Sequence, residues 1–378
     1  MNLLAVVTVI EFEKVATFLV MLSVLIVLHE LGHFAAARRF GVRVNEFALG
    51  FGPRLLAWTS PRSGTIYSLR AFPIGGFCAM EGEDGKVTEA ERQRTFRARS
   101  PGASSNFQSK SAWSRLLIIL AGPFANFGLC YVTLLVGALA FGVASDKTNQ
   151  PVVGQVLVGS PAEAAGLRPG DRILSIDNVP MTSGKRLVDT IHGSLGKRLN
   201  LVFARNGIQN KVFVSPRPCP AQVGRALGCI GFSPIPAYQR VAVPVALRES
   251  GQEFVNIANQ TFEGVGLLIT QFAKYAPQVS GPIGMGQVAS TVQDWGWGPY
   301  FSLAATISFA LGLFNLLPIP ALDGGRAAFV IAELIRGRPV DPEKEAMVHL
   351  AGFAALMALI MLVAFHDIVR IVKGQGIM

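Results

Sequence analysis

Three ionisable side chains lie inside an apolar run that is long enough to cross a lipid bilayer. The run covers residues 15–37 and contains His29, Glu30 and His33 near its C-terminal end. About 20 apolar residues in a helix span the hydrocarbon core. Ionisable groups in such a helix are costly unless they have partners, so they mark a functional site by default. The run therefore predicts a membrane helix that carries a buried polar site.

The spacing of these residues indicates the chemistry of the site. His29 and His33 stand four residues apart, which places both imidazoles on one face of a helix, one turn apart. The two rings can then share a metal ion, and Glu30 beside them can act as a general base toward water. This H-E-x-x-H arrangement is typical of zinc metalloproteases. The alternative is a surface helix with solvated histidines, which the apolar flanking residues disfavour.

The composition also indicates a membrane protein. The 378 residues are 51% hydrophobic and only 15% charged, whereas soluble proteins carry about 25% charged residues. Much of the net charge of +10 lies between Arg38 and Arg115. Lys and Arg beside membrane spans mark the cytoplasmic side, so this charge does not indicate a nucleic-acid-binding protein.

Three further apolar runs predict membrane spans, at residues 113–141, 300–317 and 347–365. The first of them contains small residues such as Gly122, which allow close contact between helices. It also contains Asn126, which can form a hydrogen bond to a neighbouring helix. We interpret that role as structural.

Residues 47–77 alternate apolar and polar positions around a turn at residues 60–64, which predicts a hairpin close to the membrane. Such a hairpin can pair with an extended substrate by strand addition. Equally, it can be a short sheet that packs on the membrane part. The polar residues 81–110 that follow predict an exposed cytoplasmic loop.

Residues 152–215 change in character to short strands, turns and helical stretches. The stretch S-P-A-E-A-A-G-L-R-P-G-D-R-I-L-S-I-D, which begins at Ser160, resembles a PDZ domain of the bacterial type. Domains of this kind bind peptide termini by adding a strand. The alternative is a PDZ domain that only spaces or obstructs. His192 stands alone in this segment and is expected on the domain surface.

Residues 216–236 are rich in Pro, Gly and Cys and predict a linker. They include Cys219 and Cys229, for which a disulfide and two free thiols are weighed equally. Residues 243–276 show helical amphipathicity, which predicts a helix at the membrane surface. Residues 280–286 predict a flexible break.

A carboxylate follows the third predicted span. The stretch N-L-L-P-I-P-A-L-D-G-G-R begins at Asn315 and contains Asp323. Its prolines end the helix, and irregular backbone at membrane depth is tolerated only where protein or water buries it. A zinc site with two histidines needs a third ligand, so Asp323 is the candidate.

The topology agrees with this assignment. The first and third spans are separated by one intervening span, so they run in the same direction. His29, His33 and Asp323 therefore come to the same membrane depth, on the side that carries the basic residues. By the positive-inside rule that side is cytoplasmic, and the PDZ domain then faces outward.

Taken together, H-E-x-x-H, the PDZ-like segment and N-x-x-P-x-P-x-L-D-G-G resemble the site-2 protease family, in particular the bacterial regulator-of-sigma-E type. The resemblance covers nearly the whole chain. It implies that His29, His33 and Asp323 bind zinc, that Glu30 is the catalytic acid and base, and that Asn315 holds the substrate backbone. The well-known enterobacterial members carry two tandem PDZ domains, whereas this sequence has one.

The expected fold is a multi-pass α-helical membrane protein with about four transmembrane helices, a membrane-associated β-hairpin and one inserted PDZ domain. Residues 1–143 would form the N-terminal membrane part and residues 150–216 the PDZ domain. Residues 217–299 would form a linker and the surface helix, and residues 300–378 the C-terminal membrane part.

The resemblance also implies the substrates and the location. The expected cofactor is Zn²⁺, and the expected substrates are single-span membrane proteins already trimmed outside, such as anti-sigma factors, and signal-peptide remnants. The expected location is the bacterial inner membrane, with the lipid bilayer and not nucleic acid as a partner. The active site would lie near the cytoplasmic side, and the PDZ domain on the periplasmic side.

Two other functions are weighed against this one. An inactive membrane scaffold or chaperone that uses its PDZ domain would be marked by loss of Glu30 or of a ligand, and none is lost. A transporter that uses the buried His and Asp for ions would be expected to contain an internal repeat, which the sequence lacks.

Overall fold

The fold is taken from a computed structural model of the chain. The structure describes residues 3–83, 105–144, 151–157, 159–219, 227–234, 238–272, 281–338 and 340–372. The chain divides into two compact units. One consists of Met1–Leu134, Glu253–Ser290 and Leu303–Phe365, and the other of Leu135–Gln252, Thr291–Ser302 and His366–Met378.

Long apolar helices dominate the chain. Within the described residues, four helices are long and apolar enough to cross a membrane: Glu13–Arg39, Ala112–Ala140, Trp297–Leu316 and Lys344–Val369. The four predicted spans therefore correspond to observed helices. The complete elements are α1 (Leu3–Arg39), α2 (Ala112–Ala140), α7 (Trp297–Leu316) and α9 (Pro342–Val372).

A long hairpin follows α1. Strand β1 (Val44–Thr59) pairs antiparallel with β2 (Ile66–Met80), so the predicted hairpin is confirmed and is longer than expected. The amino-terminal half of β1 pairs with both ends of β2, because Glu46 faces both Ile66 and Ala79. The hairpin is therefore curled around the Glu46 position. It exposes several large apolar side chains: Phe51, Leu55, Leu56, Trp58 and Phe72.

The Glu46 carboxylate is the polar centre of this hairpin. It is buried and accepts hydrogen bonds from Arg54 at 2.5 Å, from Ser68 at 2.6 Å and from Arg70 at 2.8 Å. Burial alone would raise the pKa of Glu46, but these donors lower it to about 2. The ionised carboxylate therefore links β1 to β2.

A hydrophobic cluster connects the hairpin to the helices of the first unit. It includes Ala37 of α1, Val44 of β1, Ile118 of α2, and Ala327 and Val330 of a later helix, α8 (Asp323–Arg336). Buried Val and Ile side chains such as Val44, Ile118 and Val330 typically contribute about 1.5–3 kcal/mol each. The cluster therefore fixes α1, α2 and α8 against one another.

The second unit contains a four-stranded sheet, whose strands in order across the sheet are Val179–Pro180, Arg172–Ile176, Leu199–Arg205 and Ile208–Val214. Its core includes Ile173, Leu187, Leu201 and Ile230. The elements between α2 and the next long helix are β3 (Val143–Ala144), β4 (Val153–Val156), α3 (Pro161–Ala164), β5 (Arg172–Ile176), β6 (Val179–Pro180), α4 (Gly184–His192), β7 (Leu199–Arg205), β8 (Ile208–Val214), β9 (Arg217–Pro218), β10 (Gly228–Cys229), β11 (Phe232–Pro234) and β12 (Tyr238–Gln239).

The interpretation of residues 216–236 as a linker is wrong for the part that the structure describes. Strand β11 pairs with β4, and Ile230 is buried in the same core as Ile173. Cys219 and Cys229 form a disulfide that closes this segment. The compact domain therefore extends to Pro234 and does not end at residue 216.

Three other expectations need correction. A helix, α5 (Val243–Thr270), lies where a membrane-surface helix was expected over residues 243–276, of which 273–276 are outside the described residues. The expected break at residues 280–286 lies largely in another helix, α6 (Pro282–Asp294). Asp323 begins α8, which the sequence did not predict. Of the expected loop at residues 81–110, residues 84–104 lie outside the described residues, while Glu81 and Phe107 are buried.

Glu46→Gln should destabilise the hairpin, because it leaves Arg54 and Arg70 without a carboxylate. We expect the midpoint of thermal unfolding in detergent to fall by a few degrees at neutral pH. Because the folded-state pKa is depressed, the difference from wild type should be complete above about pH 4.5 and should shrink as the pH falls toward 2.

The matched control is Glu249→Gln, which breaks the exposed pair with Arg248. Exposed pairs contribute little, so this variant should unfold like wild type. Equal midpoints for both variants at every pH would contradict the role of Glu46.

Candidate metal centre

Three potential ligand atoms meet at one point in the first unit. His29 Nε2 lies 3.0 Å from Asp323 Oδ2, and His33 Nε2 lies 3.2 Å from the same oxygen. The two Nε2 atoms are 3.2 Å apart. The structure thus brings together the three residues that the sequence predicted as ligands, although Asp323 is 290 residues beyond His33 in the chain.

The irregular turn between α7 and α8 delivers the carboxylate. Ala321 has a φ of 77°, which a residue with a side chain rarely adopts, and its N–H donates to His349 Nδ1 at 3.0 Å. A Cβ atom at Gly324 would lie 2.2 Å from the carbonyl oxygen of Leu317. The glycine after Asp323 therefore allows α8 to begin against the end of α7, with the carboxylate facing the histidines.

The separations fit zinc. Zinc binds imidazole nitrogen and carboxylate oxygen at about 2.0–2.2 Å in tetrahedral geometry, which places ligand atoms about 3.3 Å apart. Two imidazoles and one carboxylate also form a donor set that leaves a fourth position open. His29 and His33 are 7% and 6% exposed, and the Asp323 side chain is 21% exposed. The carboxylate is therefore the most accessible of the three ligand groups.

His33 is held in the tautomer that such a site requires. Its Nδ1 lies 2.9 Å from the carbonyl oxygen of Ile118 in α2. A carbonyl can only accept, so Nδ1 carries the proton and donates. The Nε2 lone pair is then free to bind a metal ion, which is the usual arrangement around histidine ligands.

Glu30 lies beside the ligands but is not among the three atoms that meet. It is partly buried in α1 and interacts electrostatically with His33, His29 and Asp323. A carboxylate that interacts with all three ligand residues can serve as a proton acceptor at this site. Asn315 lies in the last turn of α7, and its Nδ2 donates to the carbonyl oxygen of Leu311 at 2.9 Å. Its amide is therefore engaged with its own helix.

A second group of potential ligands lies in the other unit. His192, Cys219 and Cys229 have ligand atoms within 4.8 Å of one another. Because the two sulfurs are joined in a disulfide, they supply no thiolate. Among the described residues, the group of His29, His33 and Asp323 is therefore the better metal site.

A cavity with a mixed polar and apolar lining borders the turn that carries Asp323. Its volume is about 430 Å³, and its lining includes Ala321 together with Glu83, Arg115, Arg326 and His349. Arg115 pairs with Glu333, and Arg326 pairs with Glu83. A cavity with such a lining can hold water next to the turn.

Sequence analysis did not identify the contacts that α2 makes with His33. The Ile118 carbonyl carries no sequence signal, and Gly122 was interpreted only as a small residue for helix contact. A Cβ atom at Gly122 would lie 2.2 Å from His33 Nε2. This glycine therefore makes room for the histidine ring.

Gly122→Ala should displace the His33 ring, because the ring is held by Ile118 on one side and by Asp323 on the other. We expect zinc affinity to fall at least tenfold, measured by competition with a chelator on the purified protein. Gly128→Ala is the matched control, since it lies in the same helix with nothing within 4 Å of the added Cβ. Equal zinc affinity in the two variants would contradict the packing argument.

Comparisons with known proteins identify the family of the chain. Residues 17–359 match the model of a family described as Peptidase family M50. The chain is 32% identical to zinc metalloprotease RasP of Geobacillus kaustophilus, over 94% of this chain and 98% of the relative. It is 36% identical to the putative zinc metalloprotease all3971 of Nostoc sp., over 92% and 93%. It is 30% identical to the regulator of sigma-W protease RasP of Bacillus subtilis, over 95% and 99%.

Among solved structures, part of the chain is similar to the PDZ domain of an SdrC-like protein from Listeria monocytogenes. The TM-score is 0.20 and the identity 21%, over 25% of this chain and 92% of that chain. The family match covers most of the sequence, including all three potential ligands and Glu30. The chain therefore belongs to peptidase family M50, the site-2 protease family, and is a zinc-dependent protease of that type.

Proposed function

We propose that the chain hydrolyses peptide bonds within the transmembrane segments of single-span membrane proteins. The observation that carries this proposal is the meeting of His29, His33 and Asp323 within 3.2 Å, on or beside helices apolar enough to cross a membrane. Ionisable groups in that setting need a ligand or a function.

The residues of the site divide the chemistry between them. His29, His33 and Asp323 would hold a zinc ion, which would polarise the scissile carbonyl and lower the pKa of water. Glu30 accepts a proton from the attacking water and later gives it to the leaving amine nitrogen. The carbonyl carbon gains the hydroxyl group, the C–N bond breaks, and Glu30 returns to its starting state.

A helical substrate must unwind before its peptide bonds can be cut, because its backbone groups already bond one another. An edge of the β1–β2 hairpin would hold the unwound segment by strand addition. Asn315 would hold its backbone by exchanging the hydrogen bond to Leu311 for one to the substrate.

The substrates we propose are single-span proteins already trimmed outside the membrane, such as anti-sigma factors, and signal-peptide remnants. One relative carries the name regulator of sigma-W protease, which agrees with this class and with regulated intramembrane proteolysis. The chain would lie in the bacterial inner membrane, with the metal near the cytoplasmic side, where the positive-inside rule places the loop between α1 and α2.

An inactive scaffold would not need a complete ligand set, nor the outer hydrogen bond from His33 to Ile118. Both features support catalysis over that alternative. The PDZ-like domain would restrict access of untrimmed substrates and would not take part in the chemistry.

His29→Ala, His33→Ala and Asp323→Ala should each lose zinc, because each removes one of three ligands. Glu30→Gln should retain zinc and reduce cleavage of a model single-span substrate about 10²–10⁴-fold, the range typical of general acid–base catalysis. Zinc content is measured on the purified protein, and cleavage in detergent or vesicles.

His192→Ala is the control, since this histidine lies in the other unit. It should retain zinc and full cleavage. Wild-type turnover in Glu30→Gln, or zinc retained at full occupancy in all three ligand variants, would refute the assignment of roles.

A further inference from the structure

The second ring nitrogen of His29 faces a buried amide. His29 Nδ1 lies 3.1 Å from the Asn126 side-chain nitrogen of α2. Asn126 is completely buried, and its Oδ1 has no hydrogen-bond partner. An orphaned buried oxygen costs about 1–3 kcal/mol. With the nitrogen toward the ring, Asn126 Oδ1 accepts no hydrogen bond, although the His29 ring could donate one.

The proton on Nδ1 decides whether His29 can bind a metal. A neutral imidazole carries one N–H. If the amide nitrogen donates to Nδ1, the ring proton is on Nε2, and the Nε2 lone pair that should face the metal is lost. If an oxygen accepts from Nδ1, Nε2 is free.

Rotating the Asn126 amide by 180° gives Oδ1 a donor and frees the Nε2 lone pair, while the amide nitrogen takes the place that Oδ1 had. Each orientation leaves one amide atom without a partner, so the need for a free Nε2 decides between them. The oxygen and nitrogen of an amide have nearly the same shape, and their assignment follows from the hydrogen-bond network. With Oδ1 toward the ring, the orphaned oxygen accepts from His29 Nδ1–H. The arrangement then matches the one that Ile118 gives to His33.

The position of Asn126 is fixed by neighbours other than its amide. Ser308 of α7 donates to the Asn126 backbone carbonyl at 2.9 Å. A Cβ atom added at Gly312 would lie 3.2 Å from the Asn126 Cβ. The asparagine is therefore packed between α1 and α7, at a fixed distance from the ring.

We propose that Asn126 is a positioning residue, whose amide oxygen accepts from His29 Nδ1–H and holds His29 in the metal-binding tautomer. The inference rests on the proposed metal site and assigns a specific role to an asparagine that the sequence indicated only as a structural bond between helices. Loss of such an outer partner typically weakens metal affinity 10–100-fold.

Two substitutions of similar size separate this role from simple packing. Asn126→Leu cannot accept, and zinc affinity should fall 10–100-fold. Asn126→Asp accepts but, when ionised, cannot donate, so it should bind zinc within about threefold of wild type or more tightly. Affinity is measured by chelator competition on the full-length protein in detergent. The visible absorption of the Co²⁺-loaded protein reports whether the coordination remains tetrahedral.

Gly128→Ala is the matched control, because it lies in the same helix as Asn126 and its added Cβ would have nothing within 4 Å. It should leave zinc affinity and the Co²⁺ spectrum unchanged. Wild-type affinity in Asn126→Leu would overturn the inference. So would a tenfold or greater loss in Asn126→Asp, because the amide would then be acting as a donor.

The result for Asn126→Asp decides the question if Asn126→Leu does not fold. Retained affinity supports the acceptor role, and loss contradicts it. Failure of the wild type to bind zinc more tightly than His29→Ala would instead refute the proposed metal site itself, so the two failures are distinguishable.

Discussion

The meeting of one carboxylate with two imidazoles in an apolar setting is the constraint on which the first unit depends. Asp323 lies within 3.2 Å of both His29 and His33. Burying any one of these polar groups without a partner would cost free energy. The turn after α7, its positive φ at Ala321 and the close approach at Gly324 all serve to bring that oxygen to the rings. On the other side, α2 supplies the carbonyl of Ile118.

Much of this site could be predicted from the sequence. Its motifs are local, and its ionisable residues are costly to place in an apolar segment without a function. His29 and His33 are four residues apart in one helix, so their common face follows from helical geometry alone. Asp323 could be added because a carboxylate beside a membrane span needs a partner. The hairpin and the four apolar helices were also predictable from local sequence. The alternation of apolar and polar residues indicates strands, and the length of an apolar run indicates a membrane helix.

The rest depended on contacts between distant segments. Strand β11 completes the core of the second unit through pairing with β4, although its own stretch is short and rich in Pro and Gly. Helix α8 begins at Asp323, where two glycines suggest irregular backbone until their packing against α7 is known. Asn126 could be placed at a helix contact, but its partner His29 is 97 residues away. Only tertiary structure identifies which atom an amide faces.

X-ray absorption at the zinc edge tests the central claim most directly. If His29, His33 and Asp323 hold the metal, the purified protein should show only nitrogen and oxygen neighbours at about 2.0–2.2 Å, with the outer-shell pattern of two imidazoles. Glu30→Gln should give the same first shell, because Glu30 is not a ligand. A sulfur neighbour at about 2.3 Å would contradict the account, since it would place the metal at a cysteine such as Cys78.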